Sequence, residues 1–286
     1  NMRMAATRAL ADLAKEAVPE EVSQAYDLDF ISFGKDYIIP KPFDRRVLVS
    51  VASAVAKAAV EDGVAGIPES IFNMTSYQEE LEARLGLTHS VMRTVMNRAK
   101  SSLKRIVFPE GDDPHILRAA YELAHENVCT PILLGRPDVI DALKEEYNLD
   151  FECEVINPIH DPRRKGSYRD ALFEMRSRKG LTVIDAQRML KSRTYFGAIM
   201  VEVGDADGFV GGVTRAYPTF LRPCLEVIGT DEEAERVVGM YMMAIKGKLL
   251  FIGDATVNVY PNERTLAEIA VQTARVARRF GLKPKV

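Results

Sequence analysis

Two periodicities divide this chain. Up to about residue 100 the apolar positions recur three and four apart, the spacing of one helix face; from Lys104 onward, short apolar runs alternate with such helical stretches. Residues 1–17, rich in Ala, Leu and Arg, predict a helix broken before Pro19. Phe33 to Asp44, "FGKDYIIPKPFD", carries Pro40 and Pro42, which exclude both helix and central strand. Val47 to Asp62 predicts a second helix stopped by Gly63. Ser76-Tyr77-Gln78-Glu79 has capping-box spacing and predicts a charged helix to Leu85; Gly86 separates it from a helix over Ser90 to Lys100. These two helices read as a connector.

Beyond Lys104 the pattern is strand, loop, helix. Arg105 to Pro109 is a buried-strand run, followed by Glu110-Gly111-Asp112-Asp113-Pro114 and a helix through His125. Pro131 to Gly135 predicts a strand, Asp138 to Tyr147 a helix and Cys153 to Asn157 a strand. A basic loop and two helices lead to the glycine-rich strand Gly208 to Gly212. Helix Ala216 to Ile228, strand Lys248 to Asp254 and helix Asn262 to Phe280 complete the series. Apolar strands alternating with amphipathic helices predict an α/β fold, a largely parallel sheet with helices on both faces.

Composition narrows the function classes. A length of 286 residues suggests about two domains. The net charge of −3 argues against a general nucleic-acid or membrane-surface binder. Between Asp161 and Arg193, however, ten Lys or Arg face four Asp or Glu. Cys129, Cys153 and Cys224 are widely separated, so neither a disulfide framework nor a zinc site is predicted, and a reducing cytoplasm fits. No apolar run is long enough to span a bilayer. The chain opens inside a helical pattern and stops in a Pro-marked loop, and we expect it to be an internal piece of something longer.

The stretch "GDADGFVGGVTR", Gly204 to Arg215, carries the most chemistry. Asp205-x-Asp207-Gly208 fails as a calcium loop, because Gly comes fourth and position twelve is Ala216. Neither GxGxxG nor GxxxxGK[ST] occurs anywhere. Gly211 to Arg215 nevertheless lies at a strand's C-terminal end before a helix, where α/β sheets place ligands, and Thr214 and Arg215 could meet an anion there. Glycines serving turn geometry, with Arg215 solvated, explain the run equally well. Arg163, Arg164, Lys165, Arg169, Arg176, Arg178 and Lys179 could attract a polyanion or form a solvated face. Asp254 to Asn258 offers either a second polar strand end or an Asx-turn. His89, His115, His125 and His160 stand apart from one another, and Tyr37 with Lys41 reads as a packed segment before a proton-transfer pair.

Two stretches carry a resemblance. Met4 to Ala65, with "DYIIPKPFD" at its centre, resembles the C-terminal end of the nicotinamide-binding domain of bacterial malic enzymes. "KRIVFPEGDDPHILRAA" from Lys104, "GAIMVEVGDADGFVGGVTRAYPTFLRPCLEVI" to Ile228 and "LLFIGDATVN" to Asn258 look like the first half of a phosphate acetyltransferase domain. In this order the chain is similar to the hybrid NADP-dependent malic enzymes of bacteria. The resemblance implies three segments. Residues 1–72 would be the helical tail of a Rossmann-type nicotinamide-binding domain, 73–100 a helical connector, and 101–286 the first part of a phosphate acetyltransferase-like domain.

That resemblance implies oxidative decarboxylation of malate to pyruvate and CO2, with NADP and Mg2+ or Mn2+. The catalytic, cofactor and metal residues are expected upstream of Asn1. It further implies a cytoplasmic homo-oligomer, a dimer or dimer-based hexamer, without nucleic-acid or membrane partners. Its acetyltransferase-like domain is implied to be non-catalytic, serving assembly and acetyl-CoA feedback. Thr214, Arg215 and Asn258 match positions facing the family's ligand cleft. Where acetyltransferases commonly carry His-Ser or His-Thr, this chain has Arg215-Ala216. Two alternatives remain: an acetyl-CoA-sensing module with no turnover of its own, or a true phosphate acetyltransferase.

Overall fold

A computed structural model describes every residue except 17, 27–30, 36, 69, 86–94, 232–233, 246–247, 255 and 286. The chain packs as two compact units, residues 1–94 with 241–252, and residues 95–240 with 253–286.

The first unit is helical apart from a short ribbon. Its helices are α1 (Met2–Lys15), α2 (Glu20–Ala25), α3 (Arg46–Glu61) and α4 (Met74–Ala83). Helix α1 lies along α3. Ala14, Val18, Val22, Ile31 and Tyr37 form a small core, so the "DYIIPKPF" segment contributes its tyrosine to packing. Asp44, buried to 2% exposure, accepts from the backbone N–H and the guanidinium of Arg46, which also reaches Glu16. Lys41 stands over the Tyr26 ring and Tyr37 is buried, so each is used in packing. Helix α4 begins before the expected capping box, because Asn73 caps it by accepting from Ser76 N. The separator at Gly86, His89 and the start of the helix at Ser90 lie outside the described residues; residues 95–100 are helical.

In the second unit, β1 (Arg105–Phe108) leads into α5 (Pro114–His125), and β2 (Thr130–Leu134) into α6 (Pro137–Glu146). Then come β3 (Glu154–Ile156), α7 (Ser167–Arg176), α8 (Val183–Met189), α9 (Arg193–Glu202), β4 (Gly208–Phe209) and α10 (Tyr217–Val227). The basic loop is thus followed by three helices rather than the two expected. The four strands form a parallel sheet in the order β3-β2-β1-β4.

Side chains of a strand alternate between faces, and both faces here are covered. Val107, Ile132, Leu134 and Ile156 point into one core with Tyr168, Leu172, Leu190, Phe196, Ile199 and Met200. Phe108 and Leu133, one residue out of phase, point into the other with Ile116, Leu117, Ala120, Ile140 and Leu149. Asp113 caps α5 by accepting from His115 N and Ile116 N.

One element departs from expectation. Lys248 to Asp254 does form a strand, β6 (Lys248–Gly253), but it is not part of the parallel sheet. It pairs with β5 (Met240–Ile245), a strand the sequence pattern did not predict, in a separate two-stranded sheet. Most of this ribbon groups with the first unit. The pairing is local, and closing a short loop costs far less entropy than bringing residue 250 to a strand near residue 107. Helix α11 (Glu263–Arg279), capped by Asn262, follows.

Candidate functional site

Strand order places the candidate site. From β1 the chain moves outward to β2 and β3 on one side, while β4 lies on the other side of β1. Connections therefore diverge between β1 and β4, and in an open parallel sheet a crevice opens at the strands' C-terminal ends at such a point. A cavity of about 180 Å3 lies there, lined by Pro109, Glu110, Asp112, Asp113, Arg193, Thr194, Thr214, Arg215 and Phe220. The lining comes from the loop after β1, the start of α9, the loop between β4 and α10, and Phe220 of α10.

Backbone geometry explains the glycines. Gly212 has φ of +108°, which a side chain tolerates poorly. A Cβ on Gly211 would lie 2.7 Å from Pro109 Cγ and 2.9 Å from Phe220 Cε2, so only glycine lets this loop approach β1. The loop then curls over Glu110. Gly212 N (2.8 Å) and Val213 N (3.0 Å) donate to one carboxylate oxygen, Thr214 N (2.8 Å) and Thr214 Oγ1 (2.5 Å) to the other. Burial disfavours the charged form of Glu110, but the Thr214 hydroxyl and the three N–H groups outweigh it, holding its pKa below the usual glutamate range. A carboxylate so held stays ionised at neutral pH.

Across the cavity Asp112 makes a two-pronged ion pair with Arg193, whose hydrogen bonds hold the Asp112 pKa down. Arg215 is exposed, and no charged partner stands against it among the described residues. Phe220 stacks on Phe209 with ring centroids 4.9 Å apart, forming an apolar wall.

Thr214 and Arg215 therefore both line this cavity, whereas Asn258 does not. The Asn258 side-chain amide donates to Val237 O and to Asp254. Asp254 also accepts from Thr256 N, Val257 N and Asn258 N, the geometry of an Asx-type turn. Against the burial that opposes its charge, these bonds bring the Asp254 pKa to about 2. Asp207 and Asp205 are likewise structural: Asp207 accepts from Arg105 N and Lys104, and Asp205 from Tyr168 and Arg163.

Much of the basic run is built into the fold. Arg163 pairs with Asp161, and Arg164 is buried and donates to Ile159 O and Gln187 O. Arg176 meets Glu226, which also binds Tyr195 and Arg222. Burial and the Glu226 carboxylate push the Tyr195 hydroxyl up to about 12. Sequence reasoning gave no role to Glu110, Asp112, Arg193 or Thr194. Glu110 meets its loop 102 residues away, a separation with no local signature. Among the described residues no group of three His, Cys, Asp or Glu is placed to hold a metal. The described residues therefore do not fit a divalent-ion centre. No helix among them is long and apolar enough to cross a membrane.

The fold and the site place the chain among known proteins. It is 38% identical over its whole length to the NADP-dependent malic enzyme of Rhizobium meliloti, while spanning 38% of that relative. It is 36% identical to the phosphate acetyltransferase of Corynebacterium glutamicum, with 67% of this chain and 58% of that one aligned. The phosphotransacetylase of Staphylococcus aureus superposes with a TM-score of 0.62 at 32% identity, over 70% of this chain and 60% of that one. The profile of the phosphate acetyl/butaryl transferases matches residues 90–286. Together these matches show that the chain belongs to the phosphate acetyl/butaryl transferase family.

Proposed function

We propose that this chain is part of an NADP-dependent malic enzyme that oxidatively decarboxylates malate to pyruvate and CO2. Its residues 101–286 would form an acetyltransferase-like domain that senses acetyl-CoA and takes part in homo-oligomer assembly. The observation that carries this reading is the match to malic enzymes running unbroken through both units of the chain. A phosphate acetyltransferase standing alone gives no reason for the helical first unit, and its relative aligns with only 67% of the chain. Residues 1–72 would be the helical tail of a nicotinamide-binding domain, with NADP and Mg2+ or Mn2+ held elsewhere in the polypeptide.

Within the second unit, the cavity beside Thr214 and Arg215 would receive the anionic part of acetyl-CoA. At about 180 Å3 it lies below the roughly 300–1,000 Å3 of pockets that enclose drug-sized ligands. One phosphate or the acyl end would enter, and the rest would lie on the surface. Feedback then follows if acetyl-CoA binds one conformational state of the enzyme more tightly than another.

The test uses the polypeptide that carries this chain, assayed for NADP reduction with malate and Mn2+, with and without acetyl-CoA. Turnover inhibited by acetyl-CoA is expected, and Arg215→Ala should weaken that inhibition about tenfold, as for one charge-assisted hydrogen bond. Absent turnover would remove the malic enzyme reading. Formation of acetyl phosphate from acetyl-CoA and phosphate would favour a working acetyltransferase instead.

A further inference from the structure

Three successive backbone N–H groups, those of Gly212, Val213 and Thr214, form a concave nest of the kind that binds free anions. Here the anion in the nest belongs to the chain. The Glu110 carboxylate takes all three N–H groups and the Thr214 hydroxyl, two donors on each oxygen. It is only 6% exposed, yet it borders the same cavity as Arg215. The other cation of the lining, Arg193, is spent on Asp112.

We propose that Glu110 is the positioning residue of this pocket: by filling the nest, its carboxylate directs an incoming anionic group to the Arg215 guanidinium instead of to the backbone. The inference deepens the reading of the same site given above and relies on it only for the identity of the natural ligand. Occupancy supports it, since every donor of the nest is already used. Continuity supports it too, because the carboxylate that fixes Thr214 through two bonds also fixes the backbone from which Arg215 extends. Space is the third support: without the Glu110 side chain, the nest would open onto the cavity and be within reach of a small free carboxylate.

The experiment uses the polypeptide that carries this chain, with Glu110→Ala and with sodium formate as the probe. E110A should melt below the wild type, and formate should restore its melting temperature saturably, while the wild type responds no more than it does to sodium chloride. A double-mutant cycle with Arg215→Ala, read as acetyl-CoA affinity, separates positioning from mere stabilisation. In the wild-type background the arginine substitution should cost about tenfold in affinity. In the E110A background it should cost less than about threefold, because the anion can now use the vacated nest.

An equal factor in both backgrounds, or no saturable response to formate, overturns the proposal. Should E110A not fold, Glu110→Gln replaces it. It should speed amide exchange at Gly212, Val213 and Thr214 and shrink the Arg215 factor; unchanged exchange and an unchanged factor overturn the proposal in that form. If wild type does not bind acetyl-CoA at all, the assigned ligand fails, while the formate arm still decides the role of Glu110.

Discussion

Gly197 lies inside α9, fully packed against β4, and replacing it with alanine sets two effects against each other. Glycine in a helix interior is less favourable than alanine by about 0.5–1 kcal/mol, so propensity alone predicts a gain. The added methyl has no room. Its carbon would press on the Phe209 ring, 2.8 Å from Cδ2, and would lie 3.2 Å from Val107 Cγ1. Carbon atoms pack best at about 3.5–4.0 Å. Phe209 has little room to retreat, because its ring is already stacked on Phe220 with an interplanar angle of 4°. Overpacking of this kind costs about 1–3 kcal/mol, so packing outweighs propensity and Gly197→Ala should destabilise by about 1–2 kcal/mol. For a unit of this size that is about 2–8 °C in melting temperature. Urea denaturation followed by circular dichroism measures it, and Phe209→Leu in the same chain should recover part of the loss. A Gly197→Ala protein as stable as wild type would refute the reasoning.

The remaining predictions concern charge and core. Asp112→Asn leaves the Arg193 guanidinium without its carboxylate and should cost about 1–3 kcal/mol in chemical denaturation; no change in the urea midpoint would show that the pair does not contribute. The Asp254 carboxyl titrates at about 2 in the folded chain, below its unfolded value near 3.9. Its contribution is therefore complete above about pH 4 and lost as the pH falls toward 2. The stability difference between wild type and Asp254→Asn should stay constant from pH 7 down to about 4 and shrink below that, and a flat difference down to pH 2 would contradict the assignment. Leu172 is fully buried on the α7–α9 side of the sheet, and Leu172→Ala should lose about 2–5 kcal/mol by urea denaturation; a loss under 1 kcal/mol would show that the site collapses around the gap.

What could be read from the sequence tracks how local the determining interaction is. Strands β1 and β2 were legible because a strand covered on both faces needs an apolar run, and "IVF" and "PILL" are such runs. The stop at Gly63 was legible because it needs a positive φ, here +68°. Helix α4 started early because Asn73 and Ser76 both suit a cap, and only the actual bond to Ser76 N chooses between them. The pairing of β6 was not legible, since an apolar strand carries no label for its partner. Thr214 and Arg215 were singled out from strand-end logic, and the structure puts both in the cavity lining, whereas Asn258 is not there. Glu110, Asp112 and Arg193 escaped because their contacts span 81 to 104 residues of chain.

The position of β4 beside β1 has a consequence for how the protein acquires its crevice. Strands β1, β2 and β3 are sequential neighbours, whereas Ile106 must wait for Gly208 to arrive. Distant pairings form late, because the long intervening loop must be closed before any contact rewards it. Until β4 docks, Glu110 has no nest to fill and Arg215 no wall to stand against. A small molecule held there would recognise only the finished sheet, and by mass action would draw the last strand into place.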